Sequence, residues 1–167
     1  MTWTARKILK DLADADRRRR IAAAFWKHAD APSKAMTIVQ LAKSLHFRDE
    51  TIRKMPADKK AELLASRATL PELEQTLEAA LMHYHTHEQN EMLGAFLDAW
   101  GIAHVNGSIE TDDYTPPSEA QVRDAVRGLG TRFDARDVAI YLASLGLLMG
   151  EPWAGATWPV VGELTAA

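Results

Sequence analysis

Apolar residues in this chain recur at three- and four-residue spacing almost from end to end, and runs of β-branched residues are nearly absent. That periodicity stacks side chains on one face of a helix, so it points to helices rather than sheets. The expected fold is all-α, a compact bundle of about seven to eight helices. With 167 residues, the chain fits one domain or two small halves sharing an interface. A hydrophobic fraction of 47% is that of an ordinary globular protein, enough for a core without cross-links.

The local signals divide the chain as follows. A first short helix covers residues 3–13, with Ile8, Leu9 and Leu12 on one face. Asp14 or Asp16 caps a second, holding Ile21, Ala22, Phe25 and Trp26. Pro32 suits the first turn of a third helix, with Met36, Val39, Leu41, Ala42 and Leu45 inside. A short helix at 49–55 stops at Pro56, and Asp58 caps the next, which carries Leu63 and Leu64. Thr69–Leu70–Pro71–Glu72 reads as a capping box that opens a long helix. Its stripe runs from Leu73 through Leu77, Leu81, Tyr84, Met92, Phe96 and Trp100 to a terminal Gly101. Glu88 breaks the stripe, so either the helix is interrupted near 85–90 or a polar group lies close to the core. Gly94 in this helix would let a neighbouring helix approach.

Residues 102–117 form the longest irregular stretch. Asn106–Gly107 is a strong turn signal, and a tiny hairpin at 103–109 fits it. Ser118 and Gln121 form another capping box, Asp134 starts the following helix, and Gly150 with Pro152 stops it. The tail after Trp153 is apolar enough to dock.

Charge is split by position. Residues 1–67 carry 16 Lys/Arg against 8 Asp/Glu, and residues 68–167 carry 4 against 15. The chain therefore divides into a basic half, 1–68, and an acidic half, 69–167, read together as one integrated domain. Opposite fields favour association, within the chain or across a homodimer. The absence of cysteine excludes disulfides, thiolate zinc sites and cysteine nucleophiles. No apolar run approaches the ~18 residues of a membrane span, and Met1–Lys10 lacks the pattern of a signal peptide. The expectation is a cytoplasmic protein with no membrane contact.

Residues 37–55, from Thr37 to Met55, resemble a bacterial helix-turn-helix. Ala42 stands where the helices cross, Leu45 and Phe47 would plug the turn, and Ile52 and Met55 would seat the second helix. The resemblance implies that Arg48, Thr51, Arg53 and Lys54 face phosphates and base edges. His46 replaces the usual turn glycine, and Pro56 shortens the second helix. The competing reading is a plain helical hairpin with its cations in water.

Two further clusters carry possible chemistry. Arg17–Arg20 is the densest positive run, but four consecutive helical residues cannot share one face, so at least one Arg points toward the packed side. His83, His87 and Glu91 follow i,i+4 spacing and could present three metal-ligand atoms on one face. His87–Glu91 opens like the His-Glu-x-x-His motif of zinc proteases but ends in Glu, so that activity is not carried over. Glu110, Asp112, Asp113 and Tyr114 form an acidic loop without the spacing of a calcium loop. No phosphate-binding glycine loop or nucleophile elbow occurs.

The sequence thus points to a non-catalytic protein-interaction or structural module without a cofactor, acting on a protein partner or a second copy of itself. A helix-turn-helix DNA-binding protein is the first alternative. A metal-dependent enzyme at His83, His87 and Glu91 is the second.

Overall fold

The computed structural model describes residues 1–166 and is all-helical, with ten α-helices. In chain order these are α1 (Ala5–Asp11), α2 (Ala15–His28), α3 (Ala31–Leu45), α4 (Asp49–Arg53), α5 (Ala57–Ser66), α6 (Glu74–His83), α7 (Asn90–Ala99), α8 (Glu119–Leu129), α9 (Ala135–Met149) and α10 (Trp153–Ala166). The count exceeds the expected seven to eight. The long helix divides into α6 and α7, and the apolar tail is a helix of its own. Among the described residues no helix is long and apolar enough to cross a membrane.

The chain forms two compact units, Thr4–Tyr84 and His85–Ala167 with Met1–Trp3. The first carries 16 Lys/Arg against 11 Asp/Glu and the second 4 against 12, so net charges of +5 and −8 follow the units. The division falls between Tyr84 and His85.

In the first unit, α2 packs against α5 and α6, and α1 lies on α6. The packing follows from sequence: Ile21, Ala22, Phe25 and Trp26 occupy one face of α2 and are buried. Asp14 caps α2 by accepting the Arg17 N–H at 2.8 Å, and Asp30 caps α3 through the Ser33 N–H at 2.7 Å. The start of α1 is held from a distance. Glu74 accepts the Ala5 N–H and Arg6 Nε, both at 2.6 Å. A buried hydroxyl pair ties α3 to α6: Thr37 donates to the Ser33 carbonyl at 2.9 Å, which leaves Thr76 to donate to Thr37 Oγ1 at 2.9 Å.

Two expected caps are corrected. Asp58 does not cap α5; Pro56 occupies that position and supplies no side-chain bond. Thr69 does not cap the helix after it either, because the chain enters through a 3-10 turn at Pro71–Leu73 whose cap residue is Leu70. A proline at the first position favours that tight start.

In the second unit, α10 packs on α9 and α8, and α7 meets α8. The approach of α9 to α10 depends on Gly146, where an added Cβ would overlap Trp158 Nε1 and stand 2.7 Å from Thr157 Oγ1. Trp158 Nε1 donates to the Ala143 carbonyl at 3.2 Å, crossing the same contact. Both halves of the Ser118/Gln121 capping box form. At the end of α7, Gly101 takes φ 71° while the Ile102 N–H bonds the Leu97 carbonyl at 2.9 Å, closing the helix as its glycine implied. The hairpin at 103–109 reduces to a single bridge. Val105 and Ser108 exchange both backbone bonds at 2.9 Å around Asn106 and Gly107, each at positive φ. Gly94 admits the ring of His104, whose Cε1 lies 3.1 Å from a built Cβ, so the visitor is a loop side chain rather than a helix.

Candidate functional site

The α3–α4 segment has the left-handed turn that its sequence requires. His46 sits at φ 56°, ψ 34°, and the Phe47 N–H returns to the Ala42 carbonyl at 2.9 Å. Histidine fills this position in place of glycine because polar residues tolerate the left-handed region better than branched ones. Ala42 and Ile52 are buried as expected, and Arg48, Thr51, Arg53 and Lys54 are all exposed. The last two are engaged by one carboxylate. Glu50 takes Arg53 Nη1 at 3.0 Å and Lys54 Nζ at 3.4 Å. Asp49 and Glu50 stand in the first turn of α4, the end a recognition helix turns toward its phosphates and bases.

Three apolar residues of this segment are placed differently from expectation. Phe47 does not plug the turn and Met36 and Val39 do not face the core; their exposures are 47%, 59% and 50%. The reason is rotational. At roughly 100° per residue, Ile38, Leu41 and Ala42 point one way, and Met36, Val39 and Lys43 point to the opposite side. The outer face of α3 therefore presents Met36, Val39 and the Lys43 stem in line, with Phe47 beyond the turn and Arg48 next to it. Exposed apolar side chains grouped on one helix face mark contact surfaces more often than isolated ones do.

The histidine segment contains the interruption that Glu88 signalled. Residues Tyr84–Glu88 form a π-helical turn, and Gln89 leaves the helix before α7 begins. Such a turn inserts one extra residue, so the inward position shifts. Glu88 is exposed, and His85 is buried instead. Burial pushes the His85 imidazole down to a pKa of about 3, so the ring is neutral. It meets Tyr141 edge-on at 5.5 Å, and Tyr141 in turn packs on Phe96 at 5.1 Å. The Tyr141 hydroxyl is buried with no hydrogen-bond partner, and burial raises its pKa. His85, Ser144 and Tyr141 were not singled out from sequence. Their signal was the stripe's change of register, which fixed where a polar side chain enters the core but not which one.

His83, His87 and Glu91 fall on three different stretches of chain: α6, the π-turn and α7. His83 stacks on His28 at 6.2 Å, and Glu91 accepts from Arg132 Nη2 at 3.1 Å. The unit boundary lies between His83 and His87. Among the described residues no group of three His, Asp or Glu side chains is arranged to hold a metal ion.

The arginine run pairs locally. Arg17 bonds Asp14 at 2.6 Å and Arg19 bonds Asp16 at 2.9 Å, while Arg18 buries its Nε without a hydrogen-bond partner. Arg17 and Arg18 are half-buried while Arg19 and Arg20 are exposed, so part of the run turns inward, as four residues on one helix require.

The 102–117 loop borders a cavity of about 470 Å³. Trp100, Tyr114, Asp112, Asp113 and Gln121 are among its lining residues.

No family model matches the chain, and no curated protein and no solved structure matches it.

Proposed function

We propose that the protein is a non-catalytic interaction module whose docking face is the outer side of α3, and that its partner is a second copy of the same chain. The observation that carries this reading is the exposed line Met36–Val39–Phe47 flanked by the cations Lys43 and Arg48. Such a face suits an apolar surface with an acidic edge. The chain holds one in its net-negative unit, where Leu148 and Met149 are exposed at the end of α9 beside Glu151. Apolar contact would supply the attraction, and the charges would set orientation and salt dependence.

Sedimentation of the purified chain at low and high salt tests this. A dimer that weakens with salt and is lost on Phe47→Asp supports it. A monomer at every concentration, or a dimer indifferent to Phe47→Asp, removes it.

A second reading, a DNA-binding helix-turn-helix, is favoured by the left-handed His46 turn over a buried Ile52 with Arg48, Thr51, Arg53 and Lys54 in water. It ranks below the first because Glu50 already pairs with two of the four donors. An absence of any mobility shift with genomic DNA at about 50 mM salt would eliminate it, since non-specific binding alone is visible there. The metal-enzyme reading at His83, His87 and Glu91 has no comparable support, and elemental analysis of untagged protein decides it.

A further inference from the structure

We propose that Asn106 is the site of a self-catalysed modification, in which its side-chain amide is lost through a cyclic imide with His104 as the base. Every residue involved belongs to the second unit and none to the α3 face. Asn106 and Gly107 form the turn between Val105 and Ser108, at φ 51° and 83°. The Gly107 N–H points at an imidazole: it donates to His104 Nδ1 at 2.9 Å. On the far side of the ring, His104 Nε2 stands 2.7 Å from Asp98 Oδ1. A ring nitrogen that accepts carries no proton, so the neutral His104 is protonated on Nε2 and donates to the Asp98 carboxylate. Carboxylate, imidazole and N–H therefore follow the hydrogen-bonded order that makes histidine a base in hydrolases, with a backbone amide in place of a hydroxyl.

Packing holds these groups in place. His104 is half-buried, and its ring lies on the bare backbone of α7 at Gly94, where an added Cβ would stand 3.1 Å from Cε1. Gly107 is pressed against the same helix, where an added Cβ would stand 2.7 Å from Leu93 Cδ2. Asn106 is exposed, so water reaches its amide and ammonia can leave. Glycine after asparagine suits the reaction, since no side chain hinders the attacking nitrogen and the two reacting groups are already neighbours. His104 Nδ1 takes the Gly107 amide proton as that nitrogen attacks Asn106 Cγ. A C–N bond forms, and the Asp98 carboxylate stabilises the imidazolium. Collapse breaks the bond from Cγ to Nδ2, and His104 returns the proton so that Nδ2 leaves as ammonia. Water then opens the imide at either carbonyl, leaving aspartate or isoaspartate at position 106. Nothing is oxidised or reduced. The product adds a negative charge to the net-negative unit, and isoaspartate also lengthens the backbone of the turn.

The test is the rate at which imide, aspartate and isoaspartate form at position 106 in the full chain, read by peptide mapping after incubation in heavy-oxygen water. The same chain unfolded in urea gives the rate without the assembled base. The expected result is a folded-state rate about tenfold or more above the unfolded one, lowered about tenfold by His104→Gln and severalfold by Asp98→Asn. Asp98 is exposed, so its exchange leaves the fold intact, which circular dichroism verifies. The pH profile separates catalysis from support. With an imidazole base the wild-type rate levels off once the ring is neutral, whereas in His104→Gln it climbs in proportion to hydroxide. A histidine that only braces the turn predicts the opposite sign, because loosening the turn would speed the reaction. A rate that rises or stays unchanged in either variant, or a folded-state rate at or below that of the unfolded chain, overturns the proposal.

Discussion

Ser144 Oγ donates to the Ile140 carbonyl at 2.7 Å, so at 3.2 Å it can only accept from His85 Nε2. The proton of the imidazole is therefore on Nε2, and the serine hydroxyl is committed to its own helix. A Ser–His pair in this arrangement is a structural tether between the π-turn and α9. A nucleophilic pair would need the hydroxyl proton to point at the imidazole. The burial of both residues agrees, since no substrate reaches them.

The neutral His85 makes stability depend on pH. Its folded pKa of about 3 lies below the ordinary 6.5, so the unfolded chain binds the extra proton between those values. Stability then falls as pH drops from about 6.5 toward 3, with a slope approaching 1.4 kcal/mol per unit, and is flat above about 7. Urea unfolding at about pH 7 and pH 5 should show wild type losing more stability than His85→Gln, because carboxylates contribute equally to both. Equal losses would contradict a buried neutral ring.

Tyr141 offers the opposite kind of prediction. Its hydroxyl is buried with no partner, so the phenol bears a desolvation cost without a bond. Tyr141→Phe should leave stability unchanged or raise it by about 1 kcal/mol in denaturant titration, although the residue is among the most buried in the chain. A loss of that size would mean that the hydroxyl is paired.

Gly146 is the tightest point of the α9–α10 contact. A methyl group there would enter the space of Trp158 Nε1 and Thr157 Oγ1, and Thr157 is fully buried and already donates to the Trp153 carbonyl at 3.0 Å. Gly146→Ala should cost about 1–3 kcal/mol despite its better helix propensity. Combining it with Trp158→Phe, which removes the nearer atom, should cost less than the two changes summed.

Capping at Ser118 is a smaller and cleaner case. Ser118→Ala removes one half of the box and should lower the unfolding free energy by about 1 kcal/mol, while Ser118→Asp should retain most of it.

What could be read from the residues alone was mostly local. Asp14, Ser118 and Asp134 all cap the helices that follow them, because a cap is decided by three or four neighbouring residues. The turns at His46, Gly101 and Asn106–Gly107 follow from backbone preference in the same way. The Glu88 anomaly located the break in the long helix correctly. It could not say that the extra residue would send His85 inward and Glu88 out, since that depends on what α9 offers opposite. Asp58 and Thr69 failed as caps because the prolines beside them, Pro56 and Pro71, took the helix starts. Phe47 was the misleading residue of the candidate site. An aromatic after a turn resembles a plug, and only the packing of α3 on its neighbours shows that the inner face is already filled by Ile38, Leu41 and Ala42.

In the proposed dimer, the outer face of α3 seats a second copy through its Leu148–Met149 edge. The most direct measurement is photo-cross-linking from Val39, replaced by benzoylphenylalanine, in a mixture of isotopically light and heavy chains. The expected product is a mixed light–heavy dimer whose linked peptide contains Leu148 and Met149, abolished by Leu148→Glu and by high salt. Cross-links confined to a single chain, or a mixed dimer joined elsewhere on the partner copy, would contradict it.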